Sequence, residues 1–417
     1  MRALPEHVAV AIVGGGQAGL SMSWNLAQLG VEHVVLERSR AFHAWHEERW
    51  DAFTLVTPNF QCRLPGHPYA GDEPEGFMVK DEIRDYLAGF LDALEPPLLE
   101  GVAVTRLSRD AGGDFELQTT AGVLTAGEVV LAVGGYHMPW APPAVEAALP
   151  DDVVRVHSNA YRNPAALPDG AVLVVGTGQS GAQIAEDLHL AGRRVHLCVG
   201  SAPRCARRYR GRDVVSWLED MGHYDLPIEE HPEGNDARKE ANHYVTGRDG
   251  GRDLDLRAFA AQGMRLHGLL LAVHDGVATF ADDLRANLDA ADATYNRINA
   301  GIDRWIGEHG IETAQGPSVY EPVWQPPAGP PPPLDLTAAG IASVVWCTGF
   351  RPDWSWVDVP FLDATGYPEH ERGVVARTPG LYVLGLPWLH TWGSGRFAGV
   401  ARDAEHVAGR MVAAVPG

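Results

Sequence analysis

Two copies of one glycine-rich pattern constrain this chain more than any other feature of its sequence. In the first copy, the apolar residues 8–13 lead directly into Gly14-Gly15-Gly16-Gln17-Ala18-Gly19. A short run rich in valine that meets glycines predicts a buried strand ending in a tight turn. The apolar side chains that follow, up to Leu29, recur at the spacing of one helix face, and Gly30 is placed to end that helix.

A second strand is predicted at residues 34–37, and it ends on a carboxylate, Glu37. The order strand, G-x-G-x-x-G, helix, strand, acid is typical of a dinucleotide-binding fold. The glycines let the backbone approach a pyrophosphate, and the helix N-terminus offers N–H groups and a positive dipole. Glu37 would accept hydrogen bonds from ribose hydroxyls. The predicted contacts in this copy are Gly14, Gly16, Gln17, Ala18, Gly19, Glu37 and Arg38.

The same pattern returns in the middle of the chain. Apolar residues 171–175 precede Gly176-Thr177-Gly178-Gln179-Ser180-Gly181, and a helical face and a strand at 195–199 follow. The acid is missing here, because Val199 stands at its position and Gly200 and Ser201 come next. We predict contacts from Gly176, Gly178, Gln179, Ser180 and Gly181 to a second dinucleotide.

Five arginines follow the second copy, in a protein that is otherwise acidic. A carboxylate at the strand end would repel a 2′-phosphate, whereas Ser201 and Arg204 would bind it, so NADPH is favoured over NADH. Arg207 and Arg208 are alternatives, and all these arginines could instead face solvent or pair with nearby acids. FAD is predicted at the acid-bearing first site, and hydride would pass between the two cofactors.

Composition excludes several other functions. The 33 basic and 54 acidic side chains give a formal net charge of −21, which argues against a nucleic-acid partner. No apolar stretch is long enough to span a membrane. The four cysteines form no C-x-x-C pair, so a reduced, cytoplasmic protein is expected, and the scattered histidines lack the spacing of a metal site.

Three further segments resemble motifs of flavin-containing, N-hydroxylating and Baeyer–Villiger monooxygenases. Residues 154–161 place His157 and Tyr161 at the spacing of a fingerprint of these enzymes, although Asp151 and Val153 stand where that fingerprint has Phe and Gly. The segments at 345–350 and 131–136 resemble the short glycine motifs of the same families. The resemblance implies cofactor contacts at Gly134, Thr348 and Gly349, and a role for His157 in linking the domains.

A closer resemblance covers nearly the whole chain and concerns bacterial flavin-dependent oxidoreductases encoded beside a nitrilase. It rests on the strings at 43–51, 55–59, 205–213, 242–249 and 385–395. In the related monooxygenases the segment after the first strand-helix-strand unit covers the flavin, and this resemblance implies flavin contacts from that segment and from the closing segment. The residues are Trp45, Arg49, Thr57, Pro58, Gly385 and Asp403, with Asn59 as a candidate at the reactive flavin edge.

These observations predict an α/β fold with two Rossmann-like dinucleotide-binding domains. We expect a split FAD domain at 1–165 and 334–417 and an inserted NADPH domain at 166–333. The NADPH domain would contain an insertion, about 213–324, that shapes a substrate pocket or is a plain structural addition. The proline-rich residues 325–333 would be a stiff linker that returns the chain to the FAD domain.

The favoured function is a monooxygenation in which NADPH reduces FAD and a C4a-(hydro)peroxyflavin transfers oxygen from O2 to a small-molecule substrate. A nitrogenous metabolite is one candidate substrate, and Baeyer–Villiger oxidation of a carbonyl compound is another. The alternatives are a flavin-dependent dehydrogenase or oxidase and a cofactor-binding module without catalysis. A disulfide reductase is disfavoured because Cys198 and Cys205 do not form a redox pair beside the flavin.

Overall fold

The computed structural model describes residues 3–239 and 241–413, in which strands and helices alternate. The strands are β1 (His7–Val13), β2 (His33–Glu37), β3 (Arg63–Leu64), β4 (His67–Pro68), β5 (Leu98–Glu100), β6 (Val104–Arg109), β7 (Phe115–Thr119), β8 (Gly122–Leu131), β9 (Met138–Pro139), β10 (Val154–His157), β11 (Ala171–Val175), β12 (Val195–Cys198), β13 (Arg208–Tyr209), β14 (Arg212–Asp213), β15 (Arg265–His267), β16 (Leu270–His274), β17 (Val277–Phe280), β18 (Leu334–Asp335), β19 (Ile341–Trp346), β20 (Phe350–Arg351) and β21 (Leu381–Val383).

The α-helices are α1 (Gln17–Gln28), α2 (His43–Glu47), α3 (Lys80–Leu94), α4 (Pro143–Ala147), α5 (Gln179–Leu190), α6 (Val214–Asp220), α7 (Leu256–Ala261), α8 (Leu284–His309) and α9 (Phe397–Ala413). Short 3-10 turns lie at Asn59–Gln61, Pro164–Ala166, His223–Asp225, Ile228–Glu230, Gly234–Lys239 and Arg248–Gly250. No helix in the described ranges combines the length and the apolar character needed to cross a bilayer.

The first sheet is built around the first glycine turn. Its strand order is β5-β2-β1-β8-β7-β6, with β21 paired to β8. The pairs of β1 with β2, β1 with β8, β2 with β5 and β8 with β21 are parallel, whereas β6, β7 and β8 form an antiparallel meander. The parallel strands therefore end at one edge, where β1 leads into the glycine turn and β2 ends on Glu37.

The second sheet repeats this arrangement around the second glycine turn. Its order is β10-β19-β11-β12-β15, and every neighbouring pair is parallel. Val175, the last residue of β11, lies between Cys198 of β12 and Trp346 of β19. Interior valines and leucines of β11 are completely buried, as expected for a strand with both faces covered.

The predicted fold class is confirmed: the protein is α/β with two Rossmann-like parallel sheets. The strands and helices of both glycine units lie where the sequence pattern indicated. Gly30 and Gly192 follow the last residues of α1 and α5 with φ of +67° and +76°, the left-handed conformation that favours glycine after a helix.

The sheet to which each strand belongs helps to locate the boundaries between the two domains. Both β10 and β19 pair in the second sheet, although the sequence-based division placed residues 154–157 and 341–346 in the FAD domain. After the proline-rich linker, which is neither helix nor strand, and after β19, the chain rejoins the first sheet, first through a bridge of Val357 to Leu107 in β6 and then at β21. We therefore propose domain boundaries between β9 and β10 and after β19.

The insertion at 213–324 contains α8, the longest helix of the described residues. It has an apolar core of its own, in which Trp217, Val214 and Ile302 are completely buried. Burial of this apolar surface is the main contribution to the stability of the insertion. The segment is therefore a packed element: Val245 lies against Gln179 of the second glycine unit, and Glu219 accepts from Gln61 in the loop between β2 and β3.

Each helix of the two glycine units packs so closely on its turn that the third glycine has no room for a side chain. A Cβ on Gly19 would lie 1.9 Å from the carbonyl oxygen of Gly14, and one on Gly181 would lie 1.9 Å from that of Gly176. A Cβ on Gly16 or Gly178 would meet nothing within 4 Å. The third glycine therefore serves the fold, whereas the middle glycine faces open space.

This difference predicts contrasting effects of two alanine substitutions. Gly19→Ala should lower the free energy of unfolding by about 2–4 kcal/mol, because the helix must move off the turn. Gly16→Ala should change it by no more than about 1 kcal/mol. Urea unfolding of both variants, with Gly181→Ala and Gly178→Ala as the matched pair, checks the prediction; equal effects of Gly16→Ala and Gly19→Ala would contradict it.

Candidate functional site

The first glycine turn places the N-terminus of α1 at the carboxyl end of β1, beside open space. Gly14 has a φ of +112°, and a Cβ there would lie 2.5 Å from the carbonyl oxygen of Ala132. Gly16 is the N-cap of α1 and has no side-chain capping bond. Because the first N–H groups of a helix lack partners within it, this end can bind an anion. The open space at Gly16 fits a pyrophosphate.

The carboxylate of Glu37 lies at the end of β2, next to the turn. Its two oxygens accept hydrogen bonds from the backbone N–H groups of Gly15 (2.7 Å) and Ser39 (2.8 Å). These bonds fix the carboxylate, and each oxygen keeps a second lone pair for a ribose hydroxyl. Arg38, the next residue, is exposed on the surface.

The second turn has the same geometry. Gly176 has a φ of +103°, and a Cβ there would lie 2.6 Å from the carbonyl oxygen of Cys347. Cys347 directly follows β19, just as Ala132 directly follows β8. Gly178 is the N-cap of α5, lacks a side-chain capping bond and faces open space. This end of α5 therefore also fits a pyrophosphate.

Two polar side chains fix the surroundings of the second turn. The amide of Gln179 donates to the carbonyl of Val245 and accepts from its N–H group (3.3 Å), which holds the insertion against the start of α5. The hydroxyl of Thr177 accepts from the N–H group of Gly200 (2.9 Å). Ser180 lies in the first turn of α5.

Ser201 lies exposed just beyond β12, two residues after Val199, which occupies the position that Glu37 has in the first unit. The start of α8 is close by, because the amide of Asn287 donates to the carbonyl of Val199 (3.0 Å). The end of β12 thus offers a hydroxyl and a helix N-terminus, where the end of β2 offers a carboxylate.

Four of the predicted FAD contacts come together at the start of α1. The side chain of Gln17 donates to the carbonyl of Gly395 (2.9 Å) and accepts from the indole N–H group of Trp45 (2.8 Å). Ala18 lies so near Gly385 that a Cβ on that glycine would be 2.6 Å from the Ala18 Cβ. The segment after β2 and the closing segment at 385–395 therefore meet over the first turn.

Arg49 is a cation largely withdrawn from water. Its guanidinium lies over the rings of Trp45 (4.8 Å) and Phe53 (5.5 Å) and donates to the carbonyl of Glu48 (3.1 Å). Burial lowers the pKa of Arg49 below its usual value. Within the described residues it forms no ion pair with a carboxylate, so a bound phosphate or another anion would offset its cost of desolvation.

Thr57 and Pro58 precede Asn59, whose contacts differ from those predicted from the sequence. Thr57 lines a cleft between its loop and the start of α9. Asn59 is 3% exposed, its amide donates to the carbonyl of Glu73 (3.0 Å), and its oxygen accepts from the N–H group of Met78 (2.8 Å). Both ends of this amide hold the loop 73–78, so the geometry does not support Asn59 at a flavin edge.

The glycine motifs after β8 and β19 face each other through backbone contacts. Gly134 and Gly349 have φ of +72° and +84°, and a Cβ on either would meet nothing within 4 Å. The hydroxyl of Thr348 donates to the carbonyl of Trp140, whose N–H group donates to the carbonyl of Gly349 (3.1 Å). These bonds join the segment after β8 to the segment after β19.

The His157 and Tyr161 side chains link the segment after β10 to two other parts of the chain, the segment after β19 and helix α5. His157 Nε2 donates to the carbonyl of Gly349 (3.0 Å), and Tyr161 donates to the carboxylate of Asp187 in α5 (2.7 Å). Asp187 also pairs with Arg248 of the insertion (2.8 Å). The geometry favours a linking role for both residues, despite the absence of the Phe and Gly of the fingerprint.

Asp403 is buried inside α9 and not at an open surface. Burial raises the pKa of Asp403 to about 6, against the effect of the Ser394 hydroxyl. Ser394 in turn accepts from the N–H groups of His390 (3.0 Å) and Thr391 (3.1 Å). Asp403 therefore lies behind the closing loop that covers the first turn.

Arg204 is not available to a 2′-phosphate. It is 3% exposed and pairs with Asp255 (3.3 Å) and Asp292 (3.1 Å), between the rings of Tyr295 and Tyr320. The sequence could not reveal these carboxylates, which lie far along the chain in the insertion. Its predicted role in cofactor recognition is therefore replaced by one in holding the insertion together.

The alternative arginines are also engaged. Arg207 is buried against Asp213 and donates to the carbonyl of Val56 (2.8 Å), so it ties the insertion to the loop before Thr57. Arg208 is exposed and donates to the carbonyl of Gly250 (3.1 Å). The pairing of Arg207 with Asp213 is the alternative that the sequence left open.

The cleft at the start of α9 contains residues that the sequence did not single out, above all Arg396 and Tyr224. Arg396 directly follows the closing glycine motif, but nothing local indicates that its charge is buried.

Burial raises the pKa of the thiols Cys62, Cys198, Cys205 and Cys347, and all four cysteines are free. Within residues 3–239 and 241–413, no group of three or more His, Cys, Asp or Glu side chains is arranged to hold a metal ion.

The buried pairs of Arg204 give a testable prediction. Arg204→Ala should lower the free energy of unfolding by about 3–5 kcal/mol, because Asp255 and Asp292 lose a buried partner. It should raise the Michaelis constants for NADPH and NADH by the same factor. Urea unfolding measures the change in stability, and steady-state kinetics measures the two Michaelis constants. A rise in the Michaelis constant for NADPH alone would indicate that Arg204 recognises the 2′-phosphate after all.

Comparison with known proteins places this geometry in a family. Residues 11–242 match a family described as pyridine nucleotide-disulphide oxidoreductase. An uncharacterized CzcO-like oxidoreductase of Geobacillus kaustophilus is 30% identical over 96% of this chain and 98% of its own length. A probable indole-3-pyruvate monooxygenase of Arabidopsis thaliana, YUCCA4, is 29% identical over 45% of this chain and 46% of its own.

The fold is shared with a flavin-containing monooxygenase from Stenotrophomonas maltophilia, with a TM-score of 0.66 and 19% identity over 98% of this chain and 99% of that one. An ornithine N-hydroxylase of Kutzneria sp. 744, which has the same fold with a TM-score of 0.59 and 16% identity over 98% of this chain and 99% of that one, was solved with reduced FAD and NADP+. The chain therefore belongs to the pyridine nucleotide-disulphide oxidoreductase family and is an oxidoreductase with two dinucleotide-binding folds.

Proposed function

We propose that this protein is an FAD- and NADPH-dependent monooxygenase of small molecules. The observation that carries the proposal is the repeated turn geometry, in which a capless helix N-terminus faces open space at the carboxyl end of each parallel sheet. Two such sites in one chain are suited to two redox nucleotides that exchange a hydride.

The first turn is the better site for FAD. Glu37 is fixed at the position that receives ribose hydroxyls. The indole of Trp45 and the closing loop meet there through Gln17, so the segments on both sides would cover a bound cofactor. Arg49 would donate from its desolvated guanidinium to an anionic or carbonyl oxygen of the cofactor.

The second turn is the better site for NADPH, with a changed set of contacts. Ser201 would donate to the 2′-phosphate where Glu37 would repel it. In place of Arg204 we propose Arg285, an exposed cation in the first turn of α8, whose Asn287 touches Val199. The guanidinium of Arg285 donates to neutral oxygens of Gln325 (2.8 Å) and Pro326 (2.7 Å), which a phosphate could replace.

Oxygen transfer is preferred to disulfide reduction because the four cysteines are free and their thiols are held protonated. The named activities of the relatives, an indole-3-pyruvate monooxygenase and a flavin-containing monooxygenase, support the same choice. Bound FAD, once reduced, would supply the chemistry that activates O2. The protein would hold the nucleotides and keep water from the flavin, for which the rings of Trp45, Phe53 and Phe397 are placed.

The finer features of the function stay hypotheses. The resemblance to oxidoreductases encoded beside a nitrilase suggests a nitrogenous metabolite as substrate, and Baeyer–Villiger oxidation is the other oxygenation to test. A flavin-dependent dehydrogenase or oxidase is the alternative outside oxygen transfer, because it needs the same two nucleotide sites.

The direct test is to mix the anaerobic, FAD-loaded protein with NADPH and then admit O2. The proposal predicts a transient absorbance band of a C4a-oxygenated flavin before the oxidised spectrum returns, measured by stopped flow. Repeating the experiment in the presence of amines and ketones provides the control for substrate-dependent formation. Return to oxidised flavin without a transient in every case would favour the dehydrogenase or oxidase.

The preference for NADPH over NADH is tested by placing a carboxylate near the end of β12, which lacks the acid that β2 has in Glu37. Ser201→Asp should raise the Michaelis constant for NADPH at least about tenfold through repulsion of the 2′-phosphate, and should leave that for NADH within about twofold. Ser201→Ala is the matched control and should have a smaller effect. Equal sensitivity of NADPH and NADH to Ser201→Asp would contradict the assignment.

A further inference from the structure

The cleft at the start of α9 contains a second desolvated cation, Arg396. Its guanidinium carbon lies 3.9 Å from the ring centroid of Trp392 and 5.6 Å from that of Tyr224, and these two rings stack at 4.9 Å. Burial lowers the pKa of Arg396 below its usual value. Stacking on aromatic faces stabilises a cation but does not replace the hydrogen bonds that water would supply.

Two polar atoms in this cluster are buried without hydrogen-bond partners among the described residues. They are Nη1 of Arg396 and the hydroxyl oxygen of Tyr224, a side chain that is 95% buried. The other contact of the guanidinium is weak, a 3.5 Å approach of Nη2 to the Asn242 side-chain oxygen, which already accepts from Trp392 (3.0 Å). Buried donors left in this way indicate a missing acceptor.

The described residues around Arg396 supply no carboxylate that pairs with it. His223 and His243, which lie edge-on to Trp392, are neutral at physiological pH because burial lowers the pKa of each to about 4. Glu219 also lines the cleft, but its two oxygens accept from Gln61 (2.8 Å) and Arg63 (2.5 Å). Among the described residues, Arg396 forms no ion pair.

We propose that Arg396 and Tyr224 form a subsite for the carboxylate of a small organic acid, which makes the substrate an anionic molecule. A carboxylate oxygen accepts hydrogen bonds from both a guanidinium and a hydroxyl, and Phe397 provides apolar surface beside them in the cleft. Thr57, a predicted flavin contact, lines the same cleft, so the acid would lie beside the flavin. This inference rests on the proposed function, which it makes more specific.

The proposal is tested by binding and not by turnover. Isothermal titration of the oxidised, FAD-loaded protein would use acetate, benzoate and phenylacetate, each compared with its neutral amide. At least one acid should bind about tenfold or more tightly than its amide. Arg396→Gln should weaken the binding of that acid at least about tenfold, and Tyr224→Phe should weaken it about threefold or more. The affinities for the amides should change little.

Arg212→Gln is the matched control. Arg212 also stacks on a tryptophan, at 4.3 Å from the Trp217 centroid, but its side chain is 40% exposed and paired with Asp220, so its loss should leave acid binding unchanged. If Arg396→Gln does not retain FAD, Tyr224→Phe, which removes one buried oxygen, decides the question. Equal affinities for every acid and its amide, or acid binding unaffected by these substitutions, would overturn the subsite.

A further measurement separates the substrate from the flavin as the partner of Arg396. If Arg396→Gln changes the rate of flavin bleaching by NADPH without added acid, and leaves acid binding as it was, Arg396 faces the cofactor and the proposal fails. Failure of oxygen transfer would leave the binding result intact. The two proposals are therefore distinguishable.

Discussion

The close approach of a helix to the turn before it is the constraint on which the rest of this structure depends. At Gly19 and Gly181 the helix lies against the carbonyl of the first glycine of its own turn, with no space for a Cβ. That contact aims the N-terminus of α1 and of α5 at the edge where the parallel strands end. Everything proposed about nucleotides follows from it, because unpaired N–H groups and a positive dipole then meet in one open space.

The second general feature is the burial of cations without matching carboxylates. Arg49 and Arg396 are both desolvated, and both stack on aromatic rings. Arg204 and Arg207, which are more deeply buried, are instead neutralised by aspartates. A protein with a net charge of −21 has ample carboxylates to pair with every buried arginine. Of these four arginines, the two that lack such a partner in the described residues are Arg49, which stacks on Trp45 beside the first turn, and Arg396, which lines the cleft at the start of α9.

The sequence predicted what is local and missed what is distant. The glycine turns, Glu37 and the capping glycines were accessible because each depends on residues a few positions apart, with spacings set by strand and helix geometry. Arg204 and Asn59 were misjudged because their partners, Asp292 and Glu73 among them, come from other segments. The membership of β10 and β19 in the second sheet was hidden for the same reason, since strand pairing across the chain leaves no mark in either strand. Arg396 was passed over because burial of a charge is a tertiary property.

The central claim is that hydride passes within one chain from a nucleotide at the second turn to a flavin at the first. The most direct measurement is anaerobic flavin bleaching by NADPH deuterated at the transferred position, in the wild type and in Gly178→Val. The account predicts one flavin bleached per chain, slower bleaching with deuterium, and weaker NADPH binding in Gly178→Val with FAD still bound, because the new side chain enters the open space. A flavin that stays oxidised, or bleaching that neither deuterium nor Gly178→Val slows, would contradict it.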